Sequence, residues 1–161
     1  MSDTHTVYLA LGTNLGDRLA NLRTAIDSLA PQVQVLAESH IYETEPWGFS
    51  AQPAFLNMAI RAQTSLSPTD LLSFLKELES TLGRVPTFRN GPRLIDLDIL
   101  FYDDLIFNSP PLAIPHPRLH ERAFVLIPLV EIAAQLIHPL LGKPIYELAN
   151  TVDASGVVLF Q

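Results

Sequence analysis

Asn90-Gly91-Pro92-Arg93-Leu94-Ile95-Asp96-Leu97-Asp98-Ile99-Leu100 decides how this chain is read, because it sets two acids into what is otherwise an apolar strand. Successive strand side chains point to opposite faces. Asp96 and Asp98 therefore share one face, flanked there by Leu94 and Leu100, while Ile95, Leu97 and Ile99 fill the other. Taking two like charges out of water is costly unless something pairs or coordinates them. A hard divalent cation answers that need, since Mg²⁺ prefers oxygen ligands and commonly takes one or two carboxylates together with substrate phosphates. The alternative is a solvated edge strand with its acids in water, and the leucines on the acidic face weigh against it. Just upstream lie Arg84, Arg89 and Arg93, with no acid between 84 and 93. The planar guanidinium fork donates two parallel hydrogen bonds to a phosphate, and Gly91-Pro92 holds Arg93 close to the strand start.

Working outward, the Asp96/Asp98 strand predicts the last member of a longer pattern. Val7, Leu9 and Leu11 alternate ahead of Gly12, as in a first strand ending in a turn. Asp17 can cap a helix in which Leu19, Leu22, Ile26 and Leu29 recur at helical spacing, closed by Pro31. Residues 33–42 read as one extended stretch with Val33, Val35, Ala37 and Ile41 on one side, and another strand is expected at 55–62. A second helix has Ser67 as cap, Pro68 at its first position, Leu71, Leu75, Leu78 and Leu82 on one face, and Gly83 just past its end. A short strand is expected near 105–107, and helical pieces near 121–134 and 144–150. The order strand, helix, strand, strand, helix, strand predicts an α+β, ferredoxin-like βαββαβ fold: one antiparallel sheet with helices packed on a face and an added C-terminal helical region.

Composition narrows the function classes. A chain of 161 residues, 48% of them apolar, suits one domain over 1–161 with a sizeable core. The absence of cysteine removes disulfides, thiolate metal sites and cysteine nucleophiles. Neither a leader nor an apolar run long enough for a bilayer is visible, so the expectation is a soluble cytoplasmic protein with no membrane partner. A net charge of −7 argues against nucleic acid held by a broad basic face. Yet five of the ten cations, Arg84, Arg89, Arg93, Arg118 and Arg122, fall within residues 84–122. Positive charge concentrated locally suits a small anionic ligand.

Other constellations carry less by themselves. Gly12-Thr13-Asn14-Leu15-Gly16 is glycine-rich but matches neither the P-loop nor the dinucleotide fingerprint, and a structural turn into the first helix is the better reading. Phe55 and Asn57 share a strand face, pairing a stacking ring with an amide able to read a flat polar heterocycle. Pro115-His116-Pro117-Arg118, with Arg122 and Phe124, collects a histidine, two cations and a ring. His138 before Pro139 shows that a histidine beside a proline need not signify anything. No zinc spacing and no nucleophile elbow appear.

Together these pieces resemble the 6-hydroxymethyl-7,8-dihydropterin pyrophosphokinases of folate biosynthesis, from about Val7 to about Thr151. The resemblance rests on Leu11-Gly12-Thr13-Asn14-Leu15-Gly16-Asp17, Tyr42-Glu43-Thr44-Glu45-Pro46-Trp47-Gly48, Phe55-Leu56-Asn57, Gly91-Pro92-Arg93-Leu94-Ile95-Asp96-Leu97-Asp98, Ile114-Pro115-His116-Pro117 and Arg122-Ala123-Phe124. It implies transfer of pyrophosphate from ATP, as co-substrate, to the hydroxymethyl group, releasing AMP. Asp96 and Asp98 would hold two Mg²⁺ ions bridging the ATP phosphates. Lys76, Glu79, Arg84, Arg89, Arg93, His116 and Arg122 would line the nucleotide site, with Arg84, Arg93, Asp96 and Asp98 as the catalytic set. Phe55 and Phe124 would sandwich the pterin, with Asn57, Thr44 and Trp47 reading its polar edge. The partners implied are these two small molecules, and a monomer is expected. The chain departs from the family pattern at Pro86 and Asn90, where another cation and an aromatic are common. The competing readings are a noncatalytic nucleotide- or pterin-binding module of the same fold, and an interaction domain without a small ligand, which leaves the paired acids unexplained.

Overall fold

The computed structural model describes residues 3–44, 53–83 and 94–161. The candidates Trp47, Arg84, Arg89 and Arg93, and the departures at Pro86 and Asn90, lie outside the described residues.

The chain folds as an α+β unit around an antiparallel sheet. Strand β1 (His5–Thr13) leads through a turn into helix α1 (Arg18–Leu29), followed by β2 (Val33–Glu38), β3 (Tyr42–Thr44) and β4 (Phe55–Thr64). Helix α2 (Pro68–Thr81) returns the chain to β5 (Asp96–Tyr102). A separate hairpin, β6 (Phe107–Ser109) with β7 (Leu112–Ile114), precedes a short 3-10 turn, helices α3 (Ala123–Ala133) and α4 (Ile145–Ala149), and strand β8 (Val157–Leu159). In the main sheet the order is β5-β1-β4-β3-β8, with β2 also paired to β4. Among the described residues no helix is long and apolar enough to cross a membrane.

Both predicted caps form. The Asp17 carboxylate accepts from Ala20 N–H at 3.1 Å, and the Ser67 hydroxyl accepts from Asp70 N–H at 3.2 Å, each satisfying an amide that the first turn of a helix leaves unpaired. Gly83, at φ +95°, sits just past the end of α2 in a conformation that costs other residues strain.

The expected single stretch over residues 33–42 is two strands, and the reason is chemical. Its partner β4 is ten residues long: Val33 pairs with Thr64 at one end of it and Tyr42 with Asn57 towards the other. Between them, Ser39 hands the ladder to its side chain, whose hydroxyl accepts from Ala59 N–H at 2.9 Å while Ser39 N–H donates to Ala59 O. His40 then turns to the Glu131 carboxylate of α3, which accepts from both its N–H and its ring, and from the Tyr42 hydroxyl. The strand expected at 105–107 begins at Phe107, and its partner β7 lies in the proline-rich stretch. Strand β8 has no counterpart in the sequence reading.

Each sheet face has its own apolar cluster. One joins Val7, Leu9, Leu11, Leu97 and Ile99 to Leu22, Ala25, Leu29, Leu71 and Leu75 of α1 and α2. The other joins Ala59, Leu100 and Phe101 to Val125, Leu126 and Leu129 of α3 and to Ile145 and Leu148 of α4. A bulge in β5 explains why Leu100 and Phe101, adjacent in sequence, both serve the second cluster. Leu9 pairs with Ile99 and Tyr8 with Phe101, so Leu100 is the extra residue, after which Tyr102 joins the first cluster. Leu94 corrects the expectation that it flanks the aspartates. It lies ahead of the strand, with its methyls near the Cβ positions of Gly16 and Gly83. His138 is part of the structure: it is 3% exposed, and its Nδ1 accepts from the N–H groups of Leu140 and Leu141.

Candidate active site

The α3/α4 layer covers only part of its face, and the remainder is the site. Pairing register lays out the floor: Gly12 sits between Asn57 and Asp96, and Ala10 between Ala59 and Asp98. Glycine and alanine there leave a hollow that larger side chains would fill. A cavity of about 140 Å³ results, lined by Ala10, Gly12, Thr44, Phe55, Asn57, Asp96, Asp98, Arg122 and Phe124. The Asn57 amide donates to Thr44 Oγ1 at 2.7 Å, which fixes its plane. A Cβ placed on Gly12 would stand 3.0 Å from Asn57 Oδ1, so the amide rests directly on the glycine.

A second cavity of about 190 Å³ lies beside β5, lined by Leu72, Lys76, Leu97, Asp98, Ile99, Leu112, Ala113, His116 and Pro117. Asp98 lines both cavities. His116 is anchored there by its N–H, which donates at 3.0 Å to the carbonyl of the bulged Leu100, while its Nδ1 accepts from Arg118 N–H. Burial lowers the pKa of His116; the charge of Asp98 opposes that shift, while Arg122, Arg118 and Lys76 reinforce it. Burial likewise lowers the pKa of Arg122, again opposed by Asp98. The Arg122 guanidinium also lies 5.6 Å from the centre of the Phe124 ring.

Glu79 lines neither of these two cavities. It is 1% exposed, on α2 beneath β5, and its Oε2 accepts from Leu97 N–H at 2.7 Å, between the two aspartates in sequence. Lys76 reaches its Oε1 at 3.4 Å. Glu79 therefore braces the acidic strand from behind. Sequence reading named Phe55, Asn57, Thr44, Phe124, Arg122, Asp96 and Asp98, and these seven line one cavity. It did not find the Gly12/Ala10 floor, for which the only trace is small residues at period 2 in β1.

Two carboxylates on one strand face suit a cation that takes its remaining ligands from phosphate and water. Among the described residues no group of three or more His, Asp or Glu side chains is placed to hold a metal alone. The donor set thus fits a metal arriving with a polyphosphate rather than a resident metal in a closed protein cage.

Comparison with known proteins bears on the same residues. Residues 8–134 match the 7,8-dihydro-6-hydroxymethylpterin-pyrophosphokinase (HPPK) family. The 2-amino-4-hydroxy-6-hydroxymethyldihydropteridine pyrophosphokinase of Aquifex aeolicus is 44% identical over 142 residues, 88% of this chain and 89% of that protein. A folic acid synthesis protein of Dictyostelium discoideum is 47% identical over 135 residues, 84% of this chain; the match spans 20% of that longer protein. In three dimensions, a crystal structure of Plasmodium falciparum HPPK-DHPS with pteroate superposes over 94% of this chain and 45% of that one, with a TM-score of 0.79 at 16% identity. That likeness speaks to the fold. Sequence match, relatives and fold agree, and the chain belongs to the 7,8-dihydro-6-hydroxymethylpterin-pyrophosphokinase family.

Proposed function

We propose that this chain transfers pyrophosphate from ATP to the hydroxymethyl group of 6-hydroxymethyl-7,8-dihydropterin, releasing AMP. The observation that carries this reading is that Asp98 lines two cavities at once, one walled by rings and an amide, the other by Lys76 and His116. A group transferred between two substrates needs a charged centre at the junction of their sites.

In the ring cavity, Phe55 and Phe124 would stack on the two faces of the pterin while Asn57 and Thr44 read its polar edge. Lys76 and His116 of the second cavity, with Arg122 from the wall of the ring cavity, would bind phosphate oxygens, and Arg84, Arg89 and Arg93 would complete the set. Asp96 and Asp98 would hold two Mg²⁺ ions. Bound there, the ions would neutralise phosphate charge and lower the barrier to attack by the hydroxyl at the β-phosphorus. The residues' own work is positioning: setting the hydroxymethyl oxygen in line with the bond to be broken and keeping the phosphates fixed. With its pKa lowered and its Nδ1 accepting from Arg118 N–H, a neutral His116 would donate from Nε2 to a phosphate oxygen. The sheet order β5-β1-β4-β2 corresponds to a ferredoxin-like core, to which β3, β8 and the helices after residue 122 are additions. The reading takes the chain as a single-domain, cytoplasmic monomer. Trp47 is assigned to the pterin edge on resemblance alone.

One assay tests the proposal: incubation with ATP, Mg²⁺ and the hydroxymethyl dihydropterin, following AMP. Metal-dependent AMP that requires the pterin is expected. Binding of both ligands without AMP would identify a noncatalytic module, and absence of binding would remove the small-molecule reading altogether.

A further inference from the structure

We infer that Arg18 is a positioning residue for the ring cavity, clamping from behind the two strand ends that carry Thr44 and Phe55, and that Phe160 holds it there. The inference rests on the pterin reading of that cavity. It begins with the glycine-rich turn after β1, which the nucleotide site does not use. Arg18 is the first residue of α1, on the sheet face opposite the cavity. Its Nη1 lies 2.7 Å from Glu43 Oε2 and 2.9 Å from Ala54 O. Those two partners immediately precede Thr44 and Phe55.

Thr44 and Phe55 form the last rung of the β3/β4 ladder. Side chains alternate along a strand, so with Thr44 facing the cavity, Glu43 faces α1. The guanidinium therefore adds a rung beyond the final backbone pair without approaching a ligand. Asn14, in the same turn, donates from Nδ2 to Pro53 O at 3.0 Å and extends the attachment by one residue. Thr44 and Phe55 contribute the hydroxyl that orients Asn57 and one of the stacking rings. Their relative position fixes the width and tilt of the slot into which a flat ring fits.

Phe160 closes the arrangement. Its ring centre lies 5.5 Å from the Arg18 guanidinium. It follows β8, which pairs with β3, and the N–H groups of Phe160 and Gln161 both donate to Ile41 O. This part of the clamp lies beyond residues 8–134, the stretch matched to the family. Recognition of the ring would thus be tuned from beyond that stretch.

The test uses the full chain with Arg18→Gln, Arg18→Lys and Phe160→Ala, measuring both KM values, kcat and backbone amide exchange. Loss of a bridging charge that orders a binding wall should raise the pterin KM about tenfold in R18Q, with ATP KM and kcat within about twofold. R18K should fall between R18Q and wild type, because an ammonium can meet the same two oxygens without the planar fork. F160A should raise the pterin KM about twofold to threefold, in keeping with a half-exposed cation–π contact. Faster exchange confined to Thr44 and residues 55–57 should accompany R18Q. An unchanged pterin KM, or both KM values rising together with a fall in melting temperature, would overturn the inference. If the wild-type chain released no pterin-dependent AMP, the functional reading would fail separately. Exchange would still decide the clamp, with faster exchange at those residues supporting it and unchanged exchange refuting it.

Discussion

The two faces of the central sheet are built from the same strands and end up with opposite duties. Towards α1 and α2, Val7, Leu9 and Leu11 interlock with helix leucines, while Leu97 and Ile99, on the edge strand β5, join that packing and also line the second cavity. Towards α3 and α4, the same strands present Ala10, Gly12, Asn57, Asp96 and Asp98, and only part of that face is packed. The difference teaches that this site is made as much by removing side-chain volume as by adding reactive groups. A polar face over a small-residue floor would collapse or fill if the opposite face were not already supplying the core.

Exchanging the properties of the two faces would break that comparison. The largest effect is expected on the open face: Asp98→Ala should lower Mg²⁺-dependent AMP formation by about a hundredfold to a thousandfold, the scale of losing a ligand to the ions that would neutralise developing charge. Its melting temperature should stay within about 3 °C of wild type by calorimetry, since Asp98 is not part of the apolar core. Unchanged turnover would remove Asp98 from the site. On the packed face, Leu9→Ala should do the reverse. Leu9 is fully buried, and its truncation should cost about 3 kcal/mol and lower the melting temperature by roughly 6 to 12 °C, leaving the kcat of the folded enzyme near wild type.

Gly12→Ala sharpens the comparison at the floor. The new methyl would meet Asn57 Oδ1 at 3.0 Å, and Asn57 cannot turn away without giving up its bond to Thr44. The pterin KM should rise about tenfold while the ATP KM holds, because the disturbance lies in one cavity. Equal changes in both would mean that the floor serves the whole site.

The smallest effect concerns the attachment of α3 to β3. Burial would raise the pKa of Glu131, yet hydrogen bonds from Tyr42 and from the backbone and ring of His40 bring it below the ordinary 4.5. The same contact, after burial, pushes Tyr42 up to about 12. A carboxyl depressed in the folded state stabilises the fold above its unfolded pKa, and that contribution is lost as pH falls from about 4.5 through the folded value. Glu131→Gln should therefore flatten the acid limb of a stability profile measured by denaturant titration, costing about 1 kcal/mol at neutral pH. An acid limb identical to wild type would show that other carboxylates control it.

Much of the scaffold was legible because it depends on local rules. The caps at Asp17 and Ser67, the apolar stripe of α2 and the stop at Gly83 are each encoded within a few residues of where they act. The shared face of Asp96 and Asp98 follows from strand period alone. What escaped detection depends on partners distant in the chain. The break at Ser39 exists because Ala59 and Glu131 supply alternatives to the ladder, and β8 is a strand only because β3 offers it an edge. Leu94 belongs with Gly16 and Gly83 because β5 starts two residues later.

By itself, the sequence determined which side chains alternate, where helices begin and end, and that two acids would stand together among cations, since all of these follow from periodicity and neighbouring residues. Only the tertiary structure decided that Asp98 would line two cavities, that Gly12 and Ala10 would be a floor, and that Arg18 would reach Glu43 and Ala54. Those facts are set by pairing register and by which helix covers which face, and no local pattern can encode a contact whose two sides are far apart along the chain.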